Sequence, residues 1–216
     1  MGSETQSAAS ESCEKNAVVS ASFRADFRQH ITDAVVSKKR CDSQSVRLFS
    51  QDETRYGLLP VINRRITLRG IKPVAEIDAR YESIYLYGAV EPLTGERFFL
   101  EFSHITSECF QCFIEKFSEA FSESLNVLVL DNGRFHQAKS LEIPENIVFV
   151  FLPPYSRELN PIERLWQDIK AKLFVETYKT LGAMQAKVIE ILGDYSDTAI
   201  AKLTSFSHFI NAANAI

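Results

Sequence analysis

No stretch of this sequence approaches the roughly 20 consecutive apolar residues that a membrane-spanning helix needs. The start, Met1-Gly2-Ser3-Glu4, has neither the basic flank nor the apolar stretch of a secretory signal. A soluble, non-exported protein is the reading. Positive charge is also in short supply, with 24 Lys and Arg against 28 Asp and Glu and a formal net charge of −4. The chain therefore lacks the global positive field of a self-sufficient nucleic-acid binder, and any such binding has to be local or delegated. Cysteine is scarce as well: Cys13, Cys41, Cys109 and Cys112 are scattered through 216 residues. That excludes a disulfide framework and suits a reducing compartment, the cytoplasm by default. What is present is an ordinary globular composition, 45% hydrophobic and 24% charged, enough to build one sizeable core.

Residues 1–22 are rich in Ser, Glu, Ala and Gln and poor in large apolar side chains, which predicts a disordered tail. From Phe23 the residues Phe23, Phe27, Ile31, Ala34 and Val35 recur at helical spacing and lead to the cations Lys38-Lys39-Arg40. This predicts a lead-in helix within 23–44. Neither a repeat nor an interior linker interrupts the rest of the chain, so residues 45–216 read as one domain. Alternation predicts strands over 46–53, near 56–61, over 83–90 and over 97–102, the last two joined by the turn Pro92-Leu93-Thr94-Gly95.

Thr106 or Ser107 then caps a helix whose Phe110, Phe113, Phe117 and Phe121 form one apolar stripe, suited to covering a sheet. Residues 125–130 are almost continuously apolar, as in a strand buried on both faces, and stop at Asp131-Asn132-Gly133. A similar strand over 147–152 ends at Pro153-Pro154. Asn160-Pro161 reads as a helix N-cap followed by a first-turn proline, and the helix continues through Ile162, Leu165, Trp166, Ile169 and Leu173. A helix over 181–192 and an apolar end with Ile200, Leu203, Phe206, Phe209 and Ile210 complete the chain. A β-meander followed by strands joined through crossovers gives an α/β fold, a mixed sheet with helices on its faces.

Three carboxylates fall at element ends in this layout: Asp52 near the end of the first strand, Asp131 after the buried strand, and Glu163 in the first turn of a later helix. Strand ends beside a helix N-terminus are where an α/β sheet gathers ligands. Oxygen donors without Cys or His partners suit Mg²⁺ or Mn²⁺, and two such ions about 3.5–4 Å apart promote attack on a phosphodiester. That chemistry is nuclease or phosphoryl-transfer chemistry.

The words around these acids carry more. They are Gln51-Asp52-Glu53-Thr54-Arg55-Tyr56-Gly57, Gly70-Ile71-Lys72-Pro73, the segment from Tyr87 to Gly95, Leu130-Asp131-Asn132-Gly133-Arg134-Phe135-His136, and the run from Leu152-Pro153-Pro154-Tyr155 through Asn160-Pro161-Ile162-Glu163 to Trp166. Together they resemble bacterial DDE transposases of the insertion-sequence-630 family, relatives of the mariner group. The resemblance runs over roughly residues 45 to 210, and its last two words are highly specific.

The resemblance implies a ribonuclease H-like fold, a mixed five-stranded sheet flanked by helices, in which Asp52, Asp131 and Glu163 match the family's catalytic and metal-binding triad. The 32 positions between Asp131 and Glu163 fit the family's habit. It further implies two Mg²⁺ or Mn²⁺ ions per site, hydrolysis at transposon ends and attack of the freed 3′-hydroxyl on target DNA, usually at a TA dinucleotide. The implied partners are DNA and either a second copy of the chain or a full-length or N-terminal transposase subunit, without a membrane. The implied place is the bacterial cytoplasm, associated with the nucleoid.

Family members carry a helix-turn-helix DNA-binding region of about a hundred residues ahead of the first acid, whereas the resemblance here begins near residue 45. The region reads as absent, which suits a catalytic fragment, the second frame of a two-frame element or a decayed copy. Arg157 also stands where relatives commonly have proline, a departure with little expected chemical effect. Two further readings stay beside the catalytic one. One is a non-catalytic or regulatory fragment that dimerises with, or competes against, the full-length enzyme. The other is a free-standing structure-selective nuclease.

Each acid has a plainer reading. Glu163 follows Asn160 at capping-box spacing, Asp131 precedes a turn-forming Asn-Gly, and Asp52 has Glu53 beside it and Asp78 near another predicted strand. Adjacent strand residues point to opposite faces, so Asp52 and Glu53 cannot both face one site without a bend, and the motif favours Asp52. Asn132, Asn160 and His136 are accessory candidates; His136 is either a core histidine or one that touches the scissile phosphate or orients an acid. Cys109-Phe110-Gln111-Cys112 has zinc half-site spacing but no second pair, and reads as core packing, as does Trp166. Arg64, Arg65, Arg69 and Lys72, with Arg164, Lys170 and Lys172, either solvate the surface or hold DNA backbone.

Overall fold

Alternation along the first strand sorts the core into two faces. The computed structural model describes residues 3–38, 45–58, 82–138 and 140–216, with side chains from residue 18 onward. In it, strand β1 (Ser45–Gly57) sends Leu48 and Tyr56 to one face and Phe49 to the other. Strand β2 (Ser83–Val90) pairs antiparallel with β1, and β3 (Arg97–Phe102) antiparallel with β2. On the other side of β1 lies β4 (Ser124–Leu130), parallel to it, and then β5 (Ile147–Phe151), parallel to β4. The result is the expected mixed five-stranded sheet, in the order β3-β2-β1-β4-β5. As its apolar run predicts, β4 is buried at every position.

Helices cover both faces. Helix α2 (Ser107–Ala120) lays Phe110, Phe113 and Phe117 on Phe49, Tyr87, Ala89, Leu128 and Leu130, with Phe121 just beyond the helix end in the same cluster. Each buried phenylalanine contributes about 1.5–3 kcal/mol through the water it sheds. Thr106 caps this helix, its hydroxyl accepting from the Cys109 N–H at 3.2 Å. On the opposite face α3 (Ile162–Leu173), α4 (Leu181–Gly193) and α5 (Asp197–Thr204) share a core with Tyr56 and β2. Beside them α1 (Ser3–Lys38) and α6 (Ser207–Ala213) cover Leu48, β4 and β5 through Phe27, Ile31, Val35 and Phe209.

Three expectations differ from this architecture. The strand expected near 56–61 does not start a new element: residues 56 and 57 extend β1, where Arg55 and Tyr56 pair with Tyr85 and Ile84, and residues 59–61 lie outside the described ones. Pairing with β2 carries the extended backbone past Glu53, a cause no local pattern shows.

The expected tail differs too, since α1 begins at Ser3 and not near Phe23. A composition too polar to fold alone can still extend a helix whose nucleus is already packed, because Ala, Glu and Gln propagate helix well once nucleation is complete. Ser20, 3% exposed, takes part in that anchoring and donates to Glu158 Oε1 at 2.6 Å. The helix ends at Lys38, whose ammonium donates to the Ile147 carbonyl at 2.6 Å; residues 39–44 lie outside the described ones.

The third difference is at α3. Its cap position is Pro161, without a side-chain cap bond, and a single 3₁₀ turn at Arg157–Leu159 precedes it. Asn160 spends its side chain elsewhere.

Candidate active site

Ser50 and Asn160 explain how a helix N-terminus comes to rest on a strand. The buried Ser50 hydroxyl donates to Asn160 Oδ1 and accepts from the Ile162 N–H at 3.0 Å, while Asn160 Nδ2 donates to the Gln51 carbonyl at 2.8 Å. These bonds fasten the start of α3 to β1 one residue before Asp52, and they put Glu163 at that strand segment. The plainer reading, a capping box between Asn160 and Glu163, gives way to this clamp, because a buried amide bridging two elements satisfies more orphan groups than a local cap.

Register brings in the second acid. Ser50 is level with Val129 at the end of the parallel β1–β4 ladder; two residues further along each chain come Asp52 and Asp131, near enough for the Asp131 charge to act on Asp52. Trp166, one turn after Glu163 on α3, closes the arrangement from below, its indole Nε1–H donating to Asp52 Oδ2 at 3.2 Å. Room for that ring depends on Gly88, opposite Asp52 on β2: a Cβ there would sit 2.6 Å from Trp166 Cη2 and 2.8 Å from the Phe99 ring.

The acids differ in electrostatic state. Burial pushes the Asp52 carboxyl well above the usual carboxylate range, and the charges of Glu53, Glu163 and Asp131 push it further. Asp131 is held below that range, chiefly by its hydrogen bond with His136, with help from the Gly133 N–H and the charge of Arg157. The Asp131 Oδ1 accepts from Gly133 N–H at 2.8 Å and stands 3.0 Å from His136 Nδ1. Burial works against charge on His136, but Asp131 and Glu53 outweigh it and raise its pKa to about 9.

The mutual repulsion felt at Asp52, from three other carboxylates, is what a bound cation relieves, and the donors are all hard oxygens, so the set suits Mg²⁺ or Mn²⁺. Among the described residues no three acidic, histidine or cysteine side chains are gathered into a ready cage. One oxygen of Asp52 is engaged by Trp166, and one of Asp131 by Gly133 and His136.

The other candidates divide. His136 is buried, with Nδ1 3.0 Å from Asp131 Oδ1, so it is a core histidine in contact with an acid. Asn132 bridges strand ends: its amide donates to the Leu152 carbonyl and accepts from Gln137 at 2.8 Å. Trp166 is a core residue and an Asp52 partner at once. Cys109 is half-buried against the α2 core, whereas Cys112 is exposed and packs nothing, contrary to the core reading for both. Its place on the outer side of α2 decides this. Arg164 is exposed on α3, Lys170 half-buried, and Lys172 pairs with Asp168 at 2.9 Å over the Tyr195 ring. Arg64, Arg65, Arg69, Lys72 and Asp78 lie outside the described residues.

Sequence reasoning did not reach Ser50, Gly88 or the contact of Glu53 with His136. Ser50 carries no local signal, since its value comes from residues 110 positions away. Gly88 had one, a glycine inside a strand, which often marks a close approach.

Residues 47–185, well over half of the chain, match the DDE superfamily endonuclease family. The chain belongs to this family. It is 36% identical over 87 residues to the uncharacterized protein y4pE/y4sA of Sinorhizobium fredii (strain NBRC 101917 / NGR234), covering 40% of this chain and 64% of that one. To the insertion element IS630 uncharacterized 39 kDa protein of Shigella sonnei it is 27% identical over 127 residues, 56% of this chain and 37% of that one.

The fold resembles Mos1 transposase in a paired-end complex with its left transposon end, at a TM-score of 0.58 and 11% identity over 89% of this chain and 62% of that one. The Mos1 mariner paired-end complex with Mn matches at 0.59, again 11% identical over 89% and 62%. The chain thus spans less than two thirds of the length of each of these proteins. Family and fold agree: the chain is a member of the DDE superfamily endonuclease family, and its five-stranded sheet with flanking helices is the fold it shares with Mos1 transposase.

Proposed function

We propose that this chain is the catalytic domain of a DDE transposase, a divalent-metal-dependent DNA endonuclease and strand transferase acting at transposon ends. The observation that carries the reading is the β1–β4 register, level up to Ser50 and Val129 just ahead of Asp52 and Asp131, together with the lock that Ser50 and Asn160 put on the start of α3, the helix that carries Glu163. Asp52, Asp131 and Glu163 would hold Mg²⁺ or Mn²⁺, two ions in the reading from the family pattern. Such ions, when bound, lower the pKa of an attacking water and steady the attacking and leaving oxygens of a phosphodiester.

The chain's own residues do the rest. Trp166 holds Asp52 in place and keeps water from its inner side, and α3 presents its positive N-terminal end to the same corner, where negative phosphate is favoured. Arg164 and Arg157, both exposed near the acids, are the described cations best placed to hold DNA backbone, with Lys170 further along α3. DNA is then the principal partner, and a second transposase chain the protein partner.

The test is nicking of supercoiled plasmid by the purified chain with Mn²⁺ or Mg²⁺, beside Asp131→Asn. Metal-dependent nicking that disappears in the variant is expected. A folded chain that leaves the plasmid intact would sink the catalytic reading and favour a non-catalytic fragment that acts by pairing with a complete enzyme.

A further inference from the structure

We infer that Glu53 and His136 are positioning residues, two links of a buried chain from Gln51 through Glu53 and His136 to Asp131 that fixes which oxygen of Asp131 faces the acidic site. The inference rests on the proposed catalytic function and concerns residues behind the three acids.

Strand alternation sends Glu53 to the α2 face, away from Asp52, so it does not join the acids directly. Yet its side chain is only 5% exposed, a placement that costs free energy unless the carboxylate finds partners. It has two. Gln51 Nε2 donates to Glu53 Oε1 at 2.7 Å, and His136 Nε2 lies 3.2 Å from the same oxygen. The other ring nitrogen, Nδ1, is 3.0 Å from Asp131 Oδ1 and 3.2 Å from the Asp131 carbonyl. Every partner of the ring is an oxygen acceptor, so the ring bridges the two carboxylates, Nε2 at Glu53 and Nδ1 at Asp131.

Two packing features remove freedom from this chain. The rings of Phe110 and Phe135 stand 4.5 and 4.1 Å from the imidazole centre, which blocks its rotation. Gly133 approaches from the third side: its N–H donates to Asp131 Oδ1, and a Cβ on it would lie 3.0 Å from that oxygen and 3.1 Å from His136 Nδ1. Oδ1 is therefore held inward by two donors, and Oδ2 is left for the site. Carboxylate ligands tethered in this way lose 10–100-fold in metal affinity or activity when the tether is removed. A role confined to holding residues 131–138 against β1 would change melting and leave the metal requirement alone.

Trp166 is the single tryptophan of the chain, and its indole touches Asp52, so its emission reports a cation arriving at the acids. The experiment is Mn²⁺ quenching of Trp166, with nicking rate against Mn²⁺ in parallel, for the whole chain and for Asp131→Asn, Glu53→Gln, His136→Gln and Gly133→Ala. The last changes no charge and crowds the Asp131–His136 contact together with the edge of the Phe135 ring, so it keeps the test open should a variant in the buried chain misfold.

We expect the quenching midpoint to move to 10–100-fold higher Mn²⁺ in Glu53→Gln and His136→Gln and by a smaller factor in Gly133→Ala, with nicking restored in part by added Mn²⁺. Folded Glu53→Gln, His136→Gln and Gly133→Ala proteins that titrate like the unaltered chain, while Asp131→Asn does not, would overturn the positioning role and leave the catalytic reading standing. If Asp131→Asn titrates like the unaltered chain, the acidic site itself is wrong and the inference falls with it.

Discussion

His136 and His208 are both enclosed by phenylalanines, and the two regions around them treat the imidazole in opposite ways. His136, on the α2 face, lies against Phe110 and Phe135; His208, where α1 meets α6, lies against Phe27, Phe206 and Phe209. Burial lowers the pKa of His208, and its contact with the Leu159 carbonyl at 3.2 Å does not make up the loss. Around His136 the same desolvation is overridden by Asp131 and Glu53. Apolar enclosure thus favours the neutral ring, and two carboxylates are enough to reverse the outcome. One region uses its histidine as packing, the other as a charged strut beneath an acid.

The substitution that breaks this comparison most sharply is phenylalanine for either histidine. His136→Phe leaves Glu53 and Asp131 facing an apolar ring, and removing one partner of a buried charged set costs about 3–5 kcal/mol. His208→Phe keeps the aromatic packing and should cost under about 1.5 kcal/mol. Denaturant melts of both variants decide it; equal losses would mean that the carboxylates contribute nothing at His136.

The clamp that presents Glu163 comes next. Ser50→Ala strands the Ile162 N–H and one Asn160 contact in a buried place, an expected loss of about 1–3 kcal/mol. Its nicking rate should fall further than melting alone accounts for, because α3 loses its registration on β1. Unchanged nicking at full folding would show that Glu163 does not depend on the clamp.

Smaller still, and of opposite sign, are the effects of neutralising the two aspartates in metal-free protein. Asp52 is raised by burial and repulsion, so Asp52→Asn removes an unfavourable charge and should raise Tm at neutral pH. Asp131 is lowered by favourable partners, so Asp131→Asn should lower it. Calorimetry in the presence of a chelator checks the two signs.

Smallest are the histidines' shares of the pH profile of stability. A raised folded pKa stabilises fully below the unfolded value of about 6.5, and for His136 that stability drains away as pH climbs towards about 9. A lowered folded pKa does the reverse, so His208 withdraws stability as pH drops below about 6.5. His136→Gln should flatten the alkaline limb of Tm against pH and His208→Gln the acidic limb. Unaltered limbs in either variant would contradict the assigned direction.

Much of this molecule is legible in local pattern. The phenylalanine stripe of α2 and the apolar run of β4 predict their burial directly, because one period of side chains must meet the core whatever lies opposite. The acids are legible for a different reason: words such as Leu130-Asp131-Asn132-Gly133 identify a family before any contact is known. Asn160 reads locally as a cap, since its nearest neighbours offer it that role and only β1, more than a hundred residues away, offers it a better one. Glu53 reads locally as the wrong-facing neighbour of Asp52, but its partner His136 lies 83 residues on.

By itself, then, the amino-acid sequence determined most of the elements and their buried faces and marked the three acids proposed as the site, because these depend on side-chain periodicity and on residue type. The tertiary structure alone decided that Asp52 and Asp131 come near one another, that α3 begins on Ser50, and that of two histidines enclosed by phenylalanines one has its pKa raised and the other lowered. Those outcomes depend on which groups share a low-dielectric space, and distance between chain segments, unlike periodicity, is not written in neighbouring residues.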